Sequence, residues 1–369
     1  MGAEARVRGE CRLLGALRNG FLYRIMSLNY IDLGKMAHGG AVLISAALLF
    51  CSCGSNGGGK NVEEEGSVRE FPMVSVPAMM DSPAERAEYV AMHYFDPLTR
   101  VDAPASSETK SSASGVKYLC DSSHVAGVPM GQIEQAVATW CESLNMVSQE
   151  TAEKASGRLF SRIEACEKAD TLSNVFERLG KLVDRYLYDP NSPLRNEDFY
   201  APFVLARSKS SLLSSEEQKS AAETARRCSL NKVGTRAADF RFSDRQGRTR
   251  TLYSIKADRT LLFFSNPGCN ACKEIIDALK SYPQMEKMIS SGELAVLNIY
   301  IDEDLKEWYE YMPIYPDSWY NGYDPDYAIR TDMLYDVRAI PSLYLLASDK
   351  TVLMKDAPTE KVLRELFGE

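Results

Sequence analysis

An apolar run that ends beside two closely spaced cysteines constrains the fold of this chain more than any other feature. Residues 260–266 have the sequence TLLFFSN and are bounded by Asp258 and Pro267. A short continuous apolar run between such residues is typical of a strand that is covered on both faces of a sheet. Cys269 and Cys272 follow at once, and apolar residues then recur at helical spacing. The sequence therefore predicts a buried strand leading directly into a helix, with both cysteines at the junction.

The elements around this junction follow a recognisable order. Residues 294–301 form a second continuous apolar run, and residues 342–347 and 351–355 flank a short polar turn. Thr359 can begin a last helix that reaches Phe367. Strand, helix, strand, hairpin and helix is the order of an α/β thioredoxin fold, which we assign to residues 231–369.

The position of the two cysteines indicates redox chemistry. The first turn of a helix exposes unpaired N–H groups and the positive end of the helix dipole, which favour a thiolate over a thiol. Cys272 lies three residues after Cys269 on the same helix face, within disulfide reach. We therefore assign Cys269 as the nucleophile and Cys272 as the resolving thiol of a redox-active disulfide. We expect no cofactor.

Three segments resemble the TlpA-like branch of membrane-anchored thioredoxins: GTRAADFRFSDRQGRTRTL, LLFFSNPGCNAC and VRAIPSLYLLASDKTVLMKDA. The resemblance implies the redox roles of Cys269 and Cys272. It also implies that Ile340-Pro341 is a cis-proline loop whose backbone binds the substrate, the alternative being a trans proline at a strand start. A cis bond before proline is only about 0.5–1 kcal/mol less favourable than trans.

The same resemblance implies protein disulfides as substrates and an upstream electron donor in the cell envelope. It favours reduction over oxidation or isomerisation, because Ile340 before the proline is usual in reducing members. Two positions depart from the family pattern. Gly268 replaces an aromatic residue that often precedes the first cysteine, and Phe263 replaces a buried acid. Another acid or a water molecule must therefore accept the proton of Cys272.

An aromatic segment, residues 308–327, separates the second buried strand from the proline loop. It holds two tryptophans and six tyrosines, interrupted by three prolines. One hypothesis is that part of it, including Trp319, lines the substrate groove beside Cys269. The alternative, equally supported by the sequence, is a helix and loop that pack on the sheet.

Residues 71–230 have the spacing of several helices, and we predict a separate all-α N-terminal domain. The expected helices lie at about 130–148, 152–169, 171–188, 197–208 and 215–228. This part resembles a helical domain of unknown function that precedes thioredoxin modules in some Gram-negative lipoproteins, in its segments FP, AERAEYV and HYFD. The resemblance implies an architecture and no activity.

The N-terminus contains an apolar run, AVLISAALLF, which is too short to cross a membrane but suits a secretory signal. Cys53 follows Ser52 as in a bacterial lipobox, so we assign residues 36–53 as a lipoprotein signal peptide and Cys53 as the lipidated residue. We interpret residues 1–35 as the product of a start codon assigned too far upstream, or as a long n-region of the signal. Residues 54–70 are expected to form a flexible tether. The expected location is the envelope of a Gram-negative bacterium, anchored in the inner or outer membrane by lipid and facing the periplasm. A cleaved, unlipidated signal or a buried helix is the alternative.

Charge and residue types exclude several other functions. The net charge of −8 argues against binding of nucleic acid, which needs a basic face. A zinc site lacks ligands, because no second Cys pair exists and no histidine follows His124. A peroxiredoxin would need Thr or Ser at Asn266. A redox-inert lipoprotein, whose helical part binds a partner, remains as an alternative.

Overall fold

The computed structural model describes residues 66–99 and 117–368, which belong to one compact unit. Residues 1–35, the predicted signal peptide 36–53 with Cys53, and most of the tether 54–70 lie outside the described residues. Among the helices of the described ranges, none combines the length and the apolar character that a membrane span requires.

The N-terminal part of the described chain is helical, as predicted. Helix α3 lies at its centre and packs against α1, α4 and α5. A two-stranded ladder, β1 with β2, precedes α2 and is a small addition to the predicted all-α architecture. The elements are α1 (Pro83–His93), β1 (His124–Val125), β2 (Val128–Pro129), α2 (Met130–Ser143), α3 (Gln149–Ala169), α4 (Val175–Val183, continued by a π turn, Asp184–Tyr188), α5 (Glu197–Arg207) and α6 (Ser215–Cys228).

Local sequence explains where these helices begin and why they pack. Helix α6 starts with a capping box, in which Ser214 Oγ accepts from the Glu217 N–H and the Glu217 carboxylate accepts from the Ser214 N–H. The core of this part buries large rings, including Trp140 and Phe160. Trp140 Nε1 donates to the carbonyl oxygen of Ala91 at 3.0 Å, which satisfies its one polar group.

The C-terminal part is a mixed seven-stranded sheet with the order β4-β3-β7-β6-β5-β8-β9. Strand β5 pairs in parallel with β6 and antiparallel with β8. Helices cover both faces, so the predicted α/β thioredoxin fold is confirmed. The elements are β3 (Arg241–Asp244), β4 (Thr249–Thr251), β5 (Arg259–Phe264), α7 (Asn270–Ser281), α8 (Met285–Ser290), β6 (Leu294–Tyr300), α9 (Leu305–Tyr311), β7 (Tyr320–Tyr323), α10 (Ala328–Thr331), β8 (Ser342–Ala347), β9 (Val352–Met354) and α11 (Thr359–Phe367).

Two hydrophobic clusters, one on each face, explain the continuous apolar run of β5. Leu261 and Phe263 join the cluster that contains α7 and α11. Leu262 and Phe264 join the opposite cluster, because successive strand residues face opposite sides of a sheet. Strand β5 is thus buried on both faces and directs its C-terminal end at the two cysteines.

Candidate active site

Cys269 occupies the N-cap of α7. The chain leaves β5 at Phe264 and turns at Gly268, whose φ of 71° suits glycine. Cys269 then has an extended conformation, and its Sγ accepts a hydrogen bond from the backbone N–H of Cys272 at 3.2 Å. The helix terminus therefore offers a donor directly to this partly exposed sulfur.

Cys272 lies one turn into α7 and is fully buried. Burial raises the pKa of its thiol well above the usual cysteine value, and the hydrogen bond with Cys269 adds to the rise. At neutral pH its sulfur therefore carries a proton. Neither cysteine is in a disulfide in the described structure.

Ile340-Pro341 is a cis peptide bond. Pro341 directly precedes β8, whose first residue, Ser342, pairs with Phe264 at the end of β5. Ile340 and Cys269 both pack against the hydrophobic cluster that contains Cys272. The register of β5 and β8 thus brings the proline loop and the two cysteines to the same end of the sheet.

A buried polar group lies at this end of the sheet, and sequence reasoning did not find it. Ser265 Oγ donates to Asn298 Oδ1 at 2.5 Å and lies 3.0 Å from the Tyr315 hydroxyl. Burial raises the pKa of Tyr315 to about 12. Phe263, at the position where the resemblance to the TlpA-like branch implies an acid, is fully buried and packs in the cluster of Cys272. The three side chains of this buried group, Ser265, Asn298 and Tyr315, are therefore neutral hydroxyl and amide groups.

The aromatic segment consists of α9, a 3-10 turn and β7. Trp319 is only 4% exposed and packs in the same cluster as Cys272, as does Tyr315. Tyr311, at the end of α9, is partly exposed and contacts the edge of that cluster. The segment thus packs on the sheet, and contact of Trp319 with a substrate stays a prediction.

The remaining described cysteines lie in the helical part, and none of them forms a disulfide there. Cys141 and Cys228 are buried, and burial raises the pKa of each thiol. Within the described ranges, no three His, Cys, Asp or Glu side chains come together as metal ligands would.

Comparison with known proteins agrees with this architecture. A family model described as a domain of unknown function, DUF5106, matches residues 52–125 and 120–231. No curated protein matches the chain. Two solved structures are similar to its C-terminal part. The C-terminal domain of an uncharacterized protein from Bacteroides fragilis is 45% identical over 38% of this chain and 99% of its own, with a TM-score of 0.36. A domain of a possible thiol-disulfide isomerase from Cytophaga hutchinsonii is 24% identical over 37% of this chain and 92% of its own, with a TM-score of 0.32.

One solved structure extends over both parts of the chain. A thioredoxin-like protein from Bacteroides caccae is 35% identical, with a TM-score of 0.67, over 82% of this chain and 100% of its own. With that match along the whole relative and a cysteine pair at the start of α7, this chain belongs to the thioredoxin-like proteins.

Proposed function

We propose that this protein is a thiol–disulfide oxidoreductase that reduces protein disulfides through Cys269 and Cys272. One observation carries the proposal. A partly exposed sulfur at a helix N-cap accepts the N–H of a buried second cysteine, three residues further on. This arrangement favours attack by the first sulfur and keeps the second one protected until it is needed.

The proposed reaction has two exchange steps. The Cys269 thiolate attacks one sulfur of a substrate disulfide, forms a mixed disulfide and releases one substrate thiolate. Cys272 then loses its proton and attacks Cys269 Sγ, which releases the second substrate thiolate and forms the Cys269–Cys272 disulfide. The substrate gains two electrons and two protons, and an external dithiol donor of the envelope returns the enzyme to its reduced form.

Reduction of insulin by the full chain, with dithiothreitol as donor, tests this function. We expect turnover in the wild type and none in Cys269→Ser. Cys166→Ser is the matched control, because it removes another partly exposed thiol from the helical part. Cys272→Ser should accumulate a mixed disulfide that a non-reducing gel detects. Absence of turnover in the wild type, with Cys269→Ser identical to it, would instead favour a redox-inert binding module.

The direction of the reaction depends on the reduction potential of the pair. Equilibration of the full chain with glutathione measures it, and we expect a value nearer the roughly −270 mV of thioredoxin than the roughly −120 mV of DsbA. A value near that of DsbA would identify an oxidase.

The proposed location is the periplasmic side of a Gram-negative membrane, with a lipid on Cys53. The apolar run followed by Ser52-Cys53 supports it. Mass measurement of the mature N-terminus tests it, and a Cys53→Ser chain should then leave the membrane fraction. An unmodified mature N-terminus elsewhere in the chain would contradict the lipid anchor.

A further inference from the structure

A cluster of buried ion pairs joins the helical part to the sheet. We call Arg195, Glu197, Arg338, Lys355 and Asp356 the interface cluster. Glu197, at the start of α5, accepts from Arg338 Nε at 2.8 Å and forms an ion pair with Lys355 Nζ at 2.8 Å. The exposed fractions of these three side chains are 2%, 10% and 4%. Since a buried charge is stable only when it is paired, each partner fixes the position of the other.

The cluster also holds the residues on both sides of the proline loop. Arg338 lies two residues before Ile340, and its guanidinium additionally covers the Tyr188 ring at 4.0 Å. On the other side, Ser342 directly follows Pro341 and donates from its hydroxyl to Asp356 Oδ1 at 2.7 Å.

Asp356 is in turn held by the helical part. Arg195 Nε donates to the Asp356 carbonyl oxygen at 2.9 Å and lies 3.4 Å from the carboxylate. Two side chains that precede α5 or begin it, Arg195 and Glu197, therefore reach the loop from both sides, one through Asp356 and one through Arg338.

We propose that Glu197 and Arg195 are positioning residues that set the geometry of the Ile340-Pro341 loop for binding of a protein substrate. The proposal rests on the proposed function, in which this loop binds the substrate backbone. The helical part then determines how well a polypeptide is bound, whereas the thiol chemistry belongs to α7. Loss of either side chain should accordingly affect substrate affinity and leave the exchange of a small disulfide unchanged.

The test compares a protein substrate with a small one in the full chain. In Arg195→Gln and Glu197→Gln we expect the KM for insulin to rise on the order of tenfold, as for a displaced binding element, with kcat nearly constant. The rate with a small aromatic disulfide and the reduction potential of the cysteine pair should not change. Arg195→Lys should restore most of the affinity, since it keeps the charge that faces Asp356.

Glu150→Gln is the matched control. Glu150 in α3 forms an ion pair with Lys154 of the same helix at 2.5 Å, and both side chains are exposed to solvent. It should leave both substrates unaffected. If circular dichroism shows that Glu197→Gln does not fold, the KM of Arg195→Gln for insulin alone decides the test.

Three outcomes would overturn the proposal. These are an unchanged KM for insulin in Arg195→Gln, an equal loss of activity with both substrates, and a Glu150→Gln variant that behaves like Arg195→Gln. If the wild type reduces the small disulfide but not insulin, the proposed function itself fails, and the role of the loop falls with it.

Discussion

The proton on Cys272 is the central problem of this site at the scale of single residues. Its sulfur is fully buried, burial raises the pKa of its thiol, and its neighbour Phe263 in the same cluster is apolar. Tyr315 packs in the same cluster as Cys272, and we infer that its hydroxyl, which lies beside Ser265, orients a water molecule that takes this proton. Tyr315 is itself neutral at physiological pH, because burial raises its pKa to about 12, so it can orient such a water but not act as a strong base.

We therefore predict that Tyr315→Phe slows the second exchange step on the order of tenfold, less than the loss of a general base gives. Stopped-flow measurement of the decay of the mixed disulfide checks this. In both proteins the decay should accelerate as pH rises, because more Cys272 is then thiolate. Tyr309→Phe is the control, since Tyr309 is 52% exposed on α9. An unchanged decay in Tyr315→Phe would show that water reaches Cys272 without this hydroxyl.

At the scale of elements, β7 is the strand whose place in the sheet depends most on close packing. It lies between β3 and β6, so both of its edges are paired. Gly322 is a position in β7 where β3 approaches closely. A Cβ there would lie 2.5 Å from a ring carbon of Phe242 and 2.7 Å from the carbonyl oxygen of Ser243. Cβ atoms in proteins do not approach other atoms so closely. The backbone of β3 cannot easily move away, because it is paired within the sheet.

Gly322→Ala is therefore predicted to lower the free energy of unfolding by about 1–3 kcal/mol. Gly180→Ala in α4 is the opposite case, because no atom lies within 4 Å of the added carbon. That change should stabilise the protein by about 0.5–1 kcal/mol, the usual gain over glycine in a helix. Urea unfolding with unchanged m-values measures both. Equal stabilities of the two variants would contradict the position of β7.

The elements that the sequence predicted share one property, a strong local pattern. Strands β5, β6 and β8 are continuous apolar runs, and the redox pair and Pro341 stand in fixed motifs beside them. Strand β7 was missed because its four residues, YNGY, include two types depleted in strands, and only its neighbours make it a strand. The polar group of Ser265, Asn298 and Tyr315 was missed because its members come from three segments that only the fold brings together.

One helix is shorter at its N-terminus than the apolar spacing predicted. The apolar spacing predicted a helix from Thr171, but α4 begins at Val175. The preceding residues form a turn in which the Asp170 carboxylate accepts from the Leu172 N–H at 3.0 Å. Leu172 is 70% exposed and belongs to this turn, so it does not pack in the core with the apolar residues of the helix.

For the whole molecule, two buried carboxylates, Asp198 and Asp244, affect the dependence of stability on pH in opposite directions. Burial raises the pKa of Asp198, which belongs to the contact between the helical part and the sheet, although the charge of Lys355 partly offsets this. Burial would also raise the pKa of Asp244, but hydrogen bonds from Arg250, Arg248 and Gln246 outweigh it and lower the pKa to about 2.

The two groups should therefore change stability in opposite directions. The contribution of Asp244 is present above its unfolded pKa, near 3.8, and is lost as pH falls through about 2. That of Asp198 is present below 3.8 and is lost as pH rises towards its raised folded pKa. Relative to wild type, Asp244→Asn should become less stable from pH 2 to 4, and Asp198→Asn more stable above pH 4. Urea unfolding across this range tests the prediction, and parallel profiles of the two variants would refute it.

The interface cluster has a consequence for recombination between relatives. Glu197 and Arg338 are 141 positions apart, and Arg195 and Asp356 are 161 apart, yet the members of each pair are in direct contact. A hybrid protein that combined the first half of this chain with the second half of a homologue would lose both ion pairs, unless the homologue carried the same charges at these positions. On the proposal above, these four side chains are expected to be inherited together, and a crossover between them is expected to leave the thiols intact but to weaken the binding of a polypeptide.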